Sequence, residues 1–183
     1  MPLSLLLLAL AAPASPPPVD EARFQHFLRV LPDGKEARAS GPDPAELARL
    51  VKLNPGREKD VEAVLAADAR CTAPAREAAV LRMARATADR LGPERLDRMI
   101  AFYEGPDLAR FNALVPGRPG GKALSAAEQA ELDRLLAAYP LRAFAEAMQA
   151  SGNAVFTDEA VGAALAKCAD ARLAAFKRAR LKE

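Results

Sequence analysis

The sequence predicts an all-α fold, an antiparallel helical bundle built from short helix–Pro–helix hairpins. Three observations predict it. Ala, Leu, Arg and Glu, all strong helix formers, dominate the 183 residues. Prolines cut the chain into segments whose apolar residues recur at three- and four-residue spacing, and proline is tolerated in a helix's first turn but not in its interior. No segment alternates apolar and polar residues with period two between turn residues, as a half-buried strand would. At 51% apolar and 27% charged residues, the chain has the balance of a globular protein rather than a disordered one.

The first element is not part of the bundle. Residues 3–12 form an apolar run broken only by Ser4, and Ala12-Pro13-Ala14 follows with the small-x-small pattern of a cleavage site. A bilayer span needs roughly 20 apolar residues, about twice this run. Residues 1–14 are therefore expected to be a signal peptide whose leading charge is the amino terminus alone. Residues 15–18, Ser-Pro-Pro-Pro, are expected to be a stiff lead-in, and 19–183 a single all-helical domain whose hairpins pack around one core.

Within that domain, Phe24, Phe27, Leu28 and Leu31 share one face of a helix over 20–31, which Pro32-Asp33-Gly34 stops. Asp43 caps a short helix that begins at Pro44, turns Leu47, Leu50 and Val51 inward, and ends at Asn54-Pro55-Gly56. A third helix is expected over 58–71, with Cys71 on the stripe of Val64 and Ala67 and so facing the core. A fourth is expected from Pro74 to a left-handed cap at Gly92, burying Val80, Leu81, Ala84, Thr87, Ala88 and Leu91. Later, Ser125 and Glu128 form a capping box. Thr157 is expected to cap a long C-terminal helix with Asp158 and Glu159 in its first turn and Lys177, Arg178, Arg180 and Lys182 in its last, a polarity that suits the helix dipole. Val161, Leu165 and Cys168 share its inward face.

Between these lie two similar strings. Leu-Asp-Arg-Met-Ile-Ala-Phe-Tyr at 96–103 returns as Leu-Asp-Arg-Leu-Leu-Ala-Ala-Tyr at 132–139. The apolar positions Leu96, Met99, Ile100 and Tyr103 correspond to Leu132, Leu135, Leu136 and Tyr139. Each string runs into a proline, Pro106 or Pro140, and a second helix carrying Leu108, Phe111 and Val115 or Leu141, Phe144 and Met148. The chain thus builds a helix–Pro–helix unit twice, with a Gly/Pro-rich loop over 115–123 between the copies.

The chemistry-bearing residues are few. Cys71 and Cys168 can pair in only one way, and a cross-helix disulfide is expected of an exported chain; they form no C-x-x-C motif and no zinc set. The run 117–122 resembles a phosphate loop but has Pro116 where that loop needs glycine and Ala123 where it needs a hydroxyl, so no nucleotide cofactor is expected. His26, the single histidine, lies beside the apolar stripe as a surface residue. The carboxylate pairs Glu94 and Asp97, Asp60 and Glu62, and Glu128 and Glu131 read as solvated helix surface. Without Trp and with a net charge of +2, the chain lacks the stacking and basic surface of a nucleic-acid binder. The basic end, 177–183, is explained by its helix terminus without a membrane contact.

The stretch Phe102-Tyr103-Glu104-Gly105-Pro106 resembles a motif of the secreted bacterial family called domain of unknown function twenty fifty-nine, while Asp107-Leu108 departs from it. The resemblance covers about residues 45–148 and implies an exported helical protein with no assigned reaction. From these readings the chain is expected to be a non-enzymatic envelope protein binding a partner protein or an apolar ligand between helices, with no catalytic, cofactor or metal residues. Two alternatives stand beside it, a hydrolase using cleft carboxylates such as Glu94 and Asp97, and a structural subunit of an envelope assembly.

Overall fold

The computed structural model describes residues 16–31, 41–115 and 123–183. The signal-peptide segment, the Pro32-Asp33-Gly34 stop and the phosphate-loop-like run lie outside those residues. The described residues fold into an all-α bundle of eight helices with no strand among them. They are α1 (Glu21–Val30), α2 (Pro44–Leu53), α3 (Glu58–Leu91), α4 (Pro93–Glu104), α5 (Asp107–Leu114), α6 (Ala126–Ala138), α7 (Leu141–Phe156) and α8 (Glu159–Ala179).

The largest departure from the sequence reading is α3. The helices expected over 58–71 and from Pro74 are one helix of 34 residues, with Pro74 in its interior. Proline removes the amide that would bond the Arg70 carbonyl and crowds that carbonyl with its ring. Thr72 donates its hydroxyl to the Asp68 and Ala69 carbonyls at 3.0 and 3.3 Å and leaves the Arg70 carbonyl without that help. What offsets the penalty is that the whole length of α3 is braced, by α8 along its first half and by α7 along its second. Packing overrides the local penalty, as tertiary context routinely does.

At 1.5 Å per residue such a helix is about 50 Å long, too long for one core. Two clusters form instead of the single expected one. Phe24 and Phe27 of α1, Ala84, Ala88 and Leu91 of α3, Leu96, Met99 and Ile100 of α4, and Phe144 of α7 make the larger. Leu50, Val61, Leu65 and Phe176, from α2, α3 and α8, make the smaller.

Caps fix the ends. Asp20 accepts from the Arg23 amide at 2.9 Å and Asp43 from Ala45 at 3.0 Å. Ser125 and Glu128 form the expected box. The cap of α8 is Asp158, which accepts from Val161 at 3.1 Å, rather than Thr157. Thr157 instead donates to Asn153 and Ala154 at the end of α7.

Gly92 joins α3 to α4 with φ +74 and ψ 166, an extended mirror conformation rather than the expected left-handed cap. A Cβ there would also stand 2.7 Å from Pro16 Cβ, so the lead-in is packed on this joint rather than being a mere spacer. Val19 follows it into the core, its amide on Asp89 at 3.2 Å and its carbonyl on Arg85 at 2.6 Å.

α3 and α8 run antiparallel along a ladder of contacts. Arg57 donates to the Ala179 carbonyl at 3.0 Å, Arg172 lies 3.5 Å from Asp68, and Arg82 lies 2.5 Å from Asp158. Between these rungs the Sγ atoms of Cys71 and Cys168 are 2.03 Å apart, at disulfide distance. Cys168 is buried as expected, but Cys71 is exposed on the edge of the seam instead of facing a core. Beyond the ladder, Asn54 donates to the Leu50 and Lys182 carbonyls at 2.8 Å each and accepts from the Lys182 amide at 2.7 Å. This latches the chain's last described residues to the α2–α3 turn.

Both helix–Pro–helix units are present, α4–α5 around Pro106 and α6–α7 around Pro140. Their burial differs. Ile100 is 5% exposed while its counterpart Leu136 is 43% exposed, and Val115 is 47% exposed. The second unit spends its apolar face through α7 on α3, so α6 is left as an outer helix packed on α5. Leu81, on the edge of the α3 stripe, is likewise exposed rather than buried.

Candidate functional site

Two arrangements bring functional side chains together. The first is an apolar cleft of about 80 Å³ between α1, α3 and α7. Phe27 and Leu28 of α1 and its C-cap residue Leu31 line it, with Val80, Met83, Ala84 and Thr87 from α3, and Phe144 and Met148 from α7. The i, i+3, i+4, i+7 spacing on α3 and the i, i+4 spacing on α7 put each helix's residues on one face. Phe27 and Phe144 meet edge to face, 6.1 Å between centroids, and close one end. The one hydroxyl in the wall, Thr87 Oγ1, donates to the Met83 carbonyl at 2.8 Å and is satisfied within its own helix. Among the described residues no charged side chain lines the space. A water there would find few partners, so the cleft favours an apolar group. The unbranched Met83 and Met148 side chains let its walls adapt to shape.

The second arrangement lies where the two repeat units meet. Asp107, 9% exposed, sits one residue past Pro106. Its Oδ2 accepts from the Tyr139 hydroxyl at 2.9 Å, and its Oδ1 accepts from Arg110 and Arg134 at 3.1 Å each. Arg134 also holds Glu131 at 2.8 and 2.9 Å. The Tyr139 hydrogen bond and the two arginines keep the Asp107 carboxyl below its ordinary value, and the same bond raises the Tyr139 phenol. The rings of Phe102, Tyr139 and Phe111 pack beneath, with centroids 5.0 and 5.6 Å from Phe102. Both carboxylate oxygens of Asp107 are engaged, so this cluster acts as a clasp that buries one unit against the other.

The residues singled out from sequence are scattered. His26 Nε2 is 2.7 Å from Glu104 Oε1, and the imidazole is 41% exposed. Asp97 is held by Arg23 at 2.7 Å on the outer surface, and Glu94 is exposed on the same helix. Asp60 pairs with Arg57 at 2.6 Å. Glu128 serves its cap and Glu131 the Arg134 guanidinium. Among the described residues the cleft carries no carboxylate, and no group of three His, Cys, Asp or Glu is placed to hold a metal ion. No helix among them is long and apolar enough to cross a membrane.

No protein family, no curated protein and no solved structure matches this chain.

The sequence reading missed two things. Asp107 was noticed only as a departure from a motif, since its partner Arg134 is 27 positions away and Tyr139 32 positions away. The cleft was out of reach because three separated helices build it, although Phe27, Leu28 and Leu31 on α1 and Phe144 and Met148 on α7 were already visible as apolar faces.

Proposed function

We propose that this protein is a non-enzymatic binding module of an extracytoplasmic compartment, and that it takes the apolar end of a ligand into the cleft between α1, α3 and α7. The observation that carries the reading is the wall of that cleft: three helices contribute apolar side chains, and among the described residues no charge faces it and its one hydroxyl is already bonded. Its volume suits the end of an alkyl chain rather than a whole drug-sized molecule. The apolar run at 3–12, the cysteine pair at bonding distance and the resemblance of 102–106 to an exported helical family all favour an oxidising location.

The experiment is an isothermal calorimetric titration of residues 15–183 with 1-octanol, whose alkyl end is of the size the cleft accepts. Saturable binding is expected, and Ala84→Phe, which fills the cleft, should weaken it by about tenfold or more, equivalent to ~1.4 kcal/mol. Leu81→Phe, on the exposed edge of the same helix, should leave it unchanged. Absence of saturable binding, or equal binding by a folded Ala84→Phe variant, overturns the proposal. Amino-terminal sequencing of the exported chain, with Ser15 expected first, tests the location separately.

A further inference from the structure

A second, larger open space lies beside the disulfide. It is a groove of about 470 Å³ between α3 and α8, and both Cys71 and Cys168 line it. Ala75, Ala78 and Ala164 form much of its floor. Two cations reach it. Arg82 is neutralised by Asp158 at 2.5 Å. Among the described residues Lys167, the neighbour of Cys168 in the chain, has no carboxylate within ion-pair distance, and none of them that lines the groove is a carboxylate.

We propose that Cys71 is a site of S-thiolation by small thiols that carry carboxylates, and that this groove holds the adduct. The two cysteines are not equally exposed. Cys71 is exposed on the seam, whereas Cys168 is 5% exposed. In thiol–disulfide exchange the accessible sulfur is the one attacked. The incoming thiolate gives its electron pair to Cys71 Sγ, forming a new S–S bond. The Cys71–Cys168 bond breaks, and its pair leaves on Cys168 Sγ, which takes a proton from water. One disulfide replaces another, so no oxidant or reductant is consumed. The groove leaves room for a tripeptide-sized group against its alanine floor, and Lys167 supplies the charge that a carboxylate on that group meets.

The test uses oxidised residues 15–183 with glutathione and, in parallel, glutathione diethyl ester, which has the same thiol with its carboxylates masked. Reactions are quenched with N-ethylmaleimide, which traps the freed Cys168 thiol, and the adduct is located by peptide mass spectrometry. The adduct is expected on Cys71 and the maleimide on Cys168. At low salt, and per thiolate, the acid is expected to react about fivefold faster than the ester, the scale of one nearby charge at a wet surface. High salt and Lys167→Gln should each erase that preference. An adduct on Cys168, a preference unmoved by Lys167→Gln, or no adduct until urea unfolds the chain overturns the proposal. Circular dichroism of Lys167→Gln, whose side chain is exposed, checks that the variant remains folded.

Discussion

Replacing Pro74 by Ala should stabilise this protein. The ring stands inside α3, where it deletes the hydrogen bond to the Arg70 carbonyl, and Pro74 is exposed, so truncating it gives up little packing. An interior proline costs a helix about 3 kcal/mol relative to alanine. Proline also restricts the unfolded chain, and removing it returns about 0.4–1 kcal/mol to the unfolded state. The expected net gain is about 2 kcal/mol, or roughly 4–8 °C in Tm for a chain of this size. Urea unfolding followed by circular dichroism, with the disulfide intact, measures it. Pro74→Gly restores the amide but carries glycine's helix penalty of about 1 kcal/mol, so it should fall between the wild type and Pro74→Ala. The result that refutes this reasoning is a Pro74→Ala variant no more stable than the wild type. That outcome is expected if proline begins a separate helix, where its missing amide costs nothing.

Other substitutions probe other joints. Gly92→Ala should lose about 1–3 kcal/mol in urea unfolding, because φ +74 with ψ 166 is open to glycine almost alone and the new Cβ meets Pro16. Ser151→Ala should be neutral or stabilising by up to about 1–3 kcal/mol, since Ser151 Oγ is buried without a hydrogen-bond partner among the described residues; a clear loss in a thermal melt would show that the hydroxyl is satisfied. The Asp107 clasp should make stability fall with acid. Its folded pKa lies below the unfolded value, so its contribution is full above the unfolded pKa and is lost as pH falls through the folded one. Asp107→Asn should therefore flatten the decline in Tm below about pH 4, and an unchanged slope would exclude this carboxylate as its source.

Helix faces were legible wherever the apolar spacing was regular. Phe24 and Phe27, Leu50, Leu96 and Met99 are all buried on the sides their spacing indicated. The fusion of two expected segments into α3 was not legible, because the proline signal is local while the bracing comes from α7 and α8, which begin at Leu141 and Glu159, far along the chain from Pro74. The direction of Cys71 failed for a related reason. A stripe shared with Val64 and Ala67 names a side of the helix, but the neighbour across that seam is α8 with small residues beside the cysteine, which leaves the sulfur at an edge. The near-identity of the two repeat strings concealed their unequal fates, since burial of Ile100 and exposure of Leu136 depend on which outer helix each unit receives. The apolar cleft and the Asp107 clasp each need partners from distant segments, and one-dimensional spacing carries no such information.

The smaller cluster sets an order on biosynthesis. Leu50, Val61 and Leu65 are made early, yet Phe176 and the Lys182 backbone that complete their enclosure are made more than a hundred residues later. Through most of translation that greasy surface has no native cover. A nascent chain of this protein therefore needs something else to shield it, and a ribosome stalled before residue 176 should display a chaperone-binding stretch that the finished molecule hides.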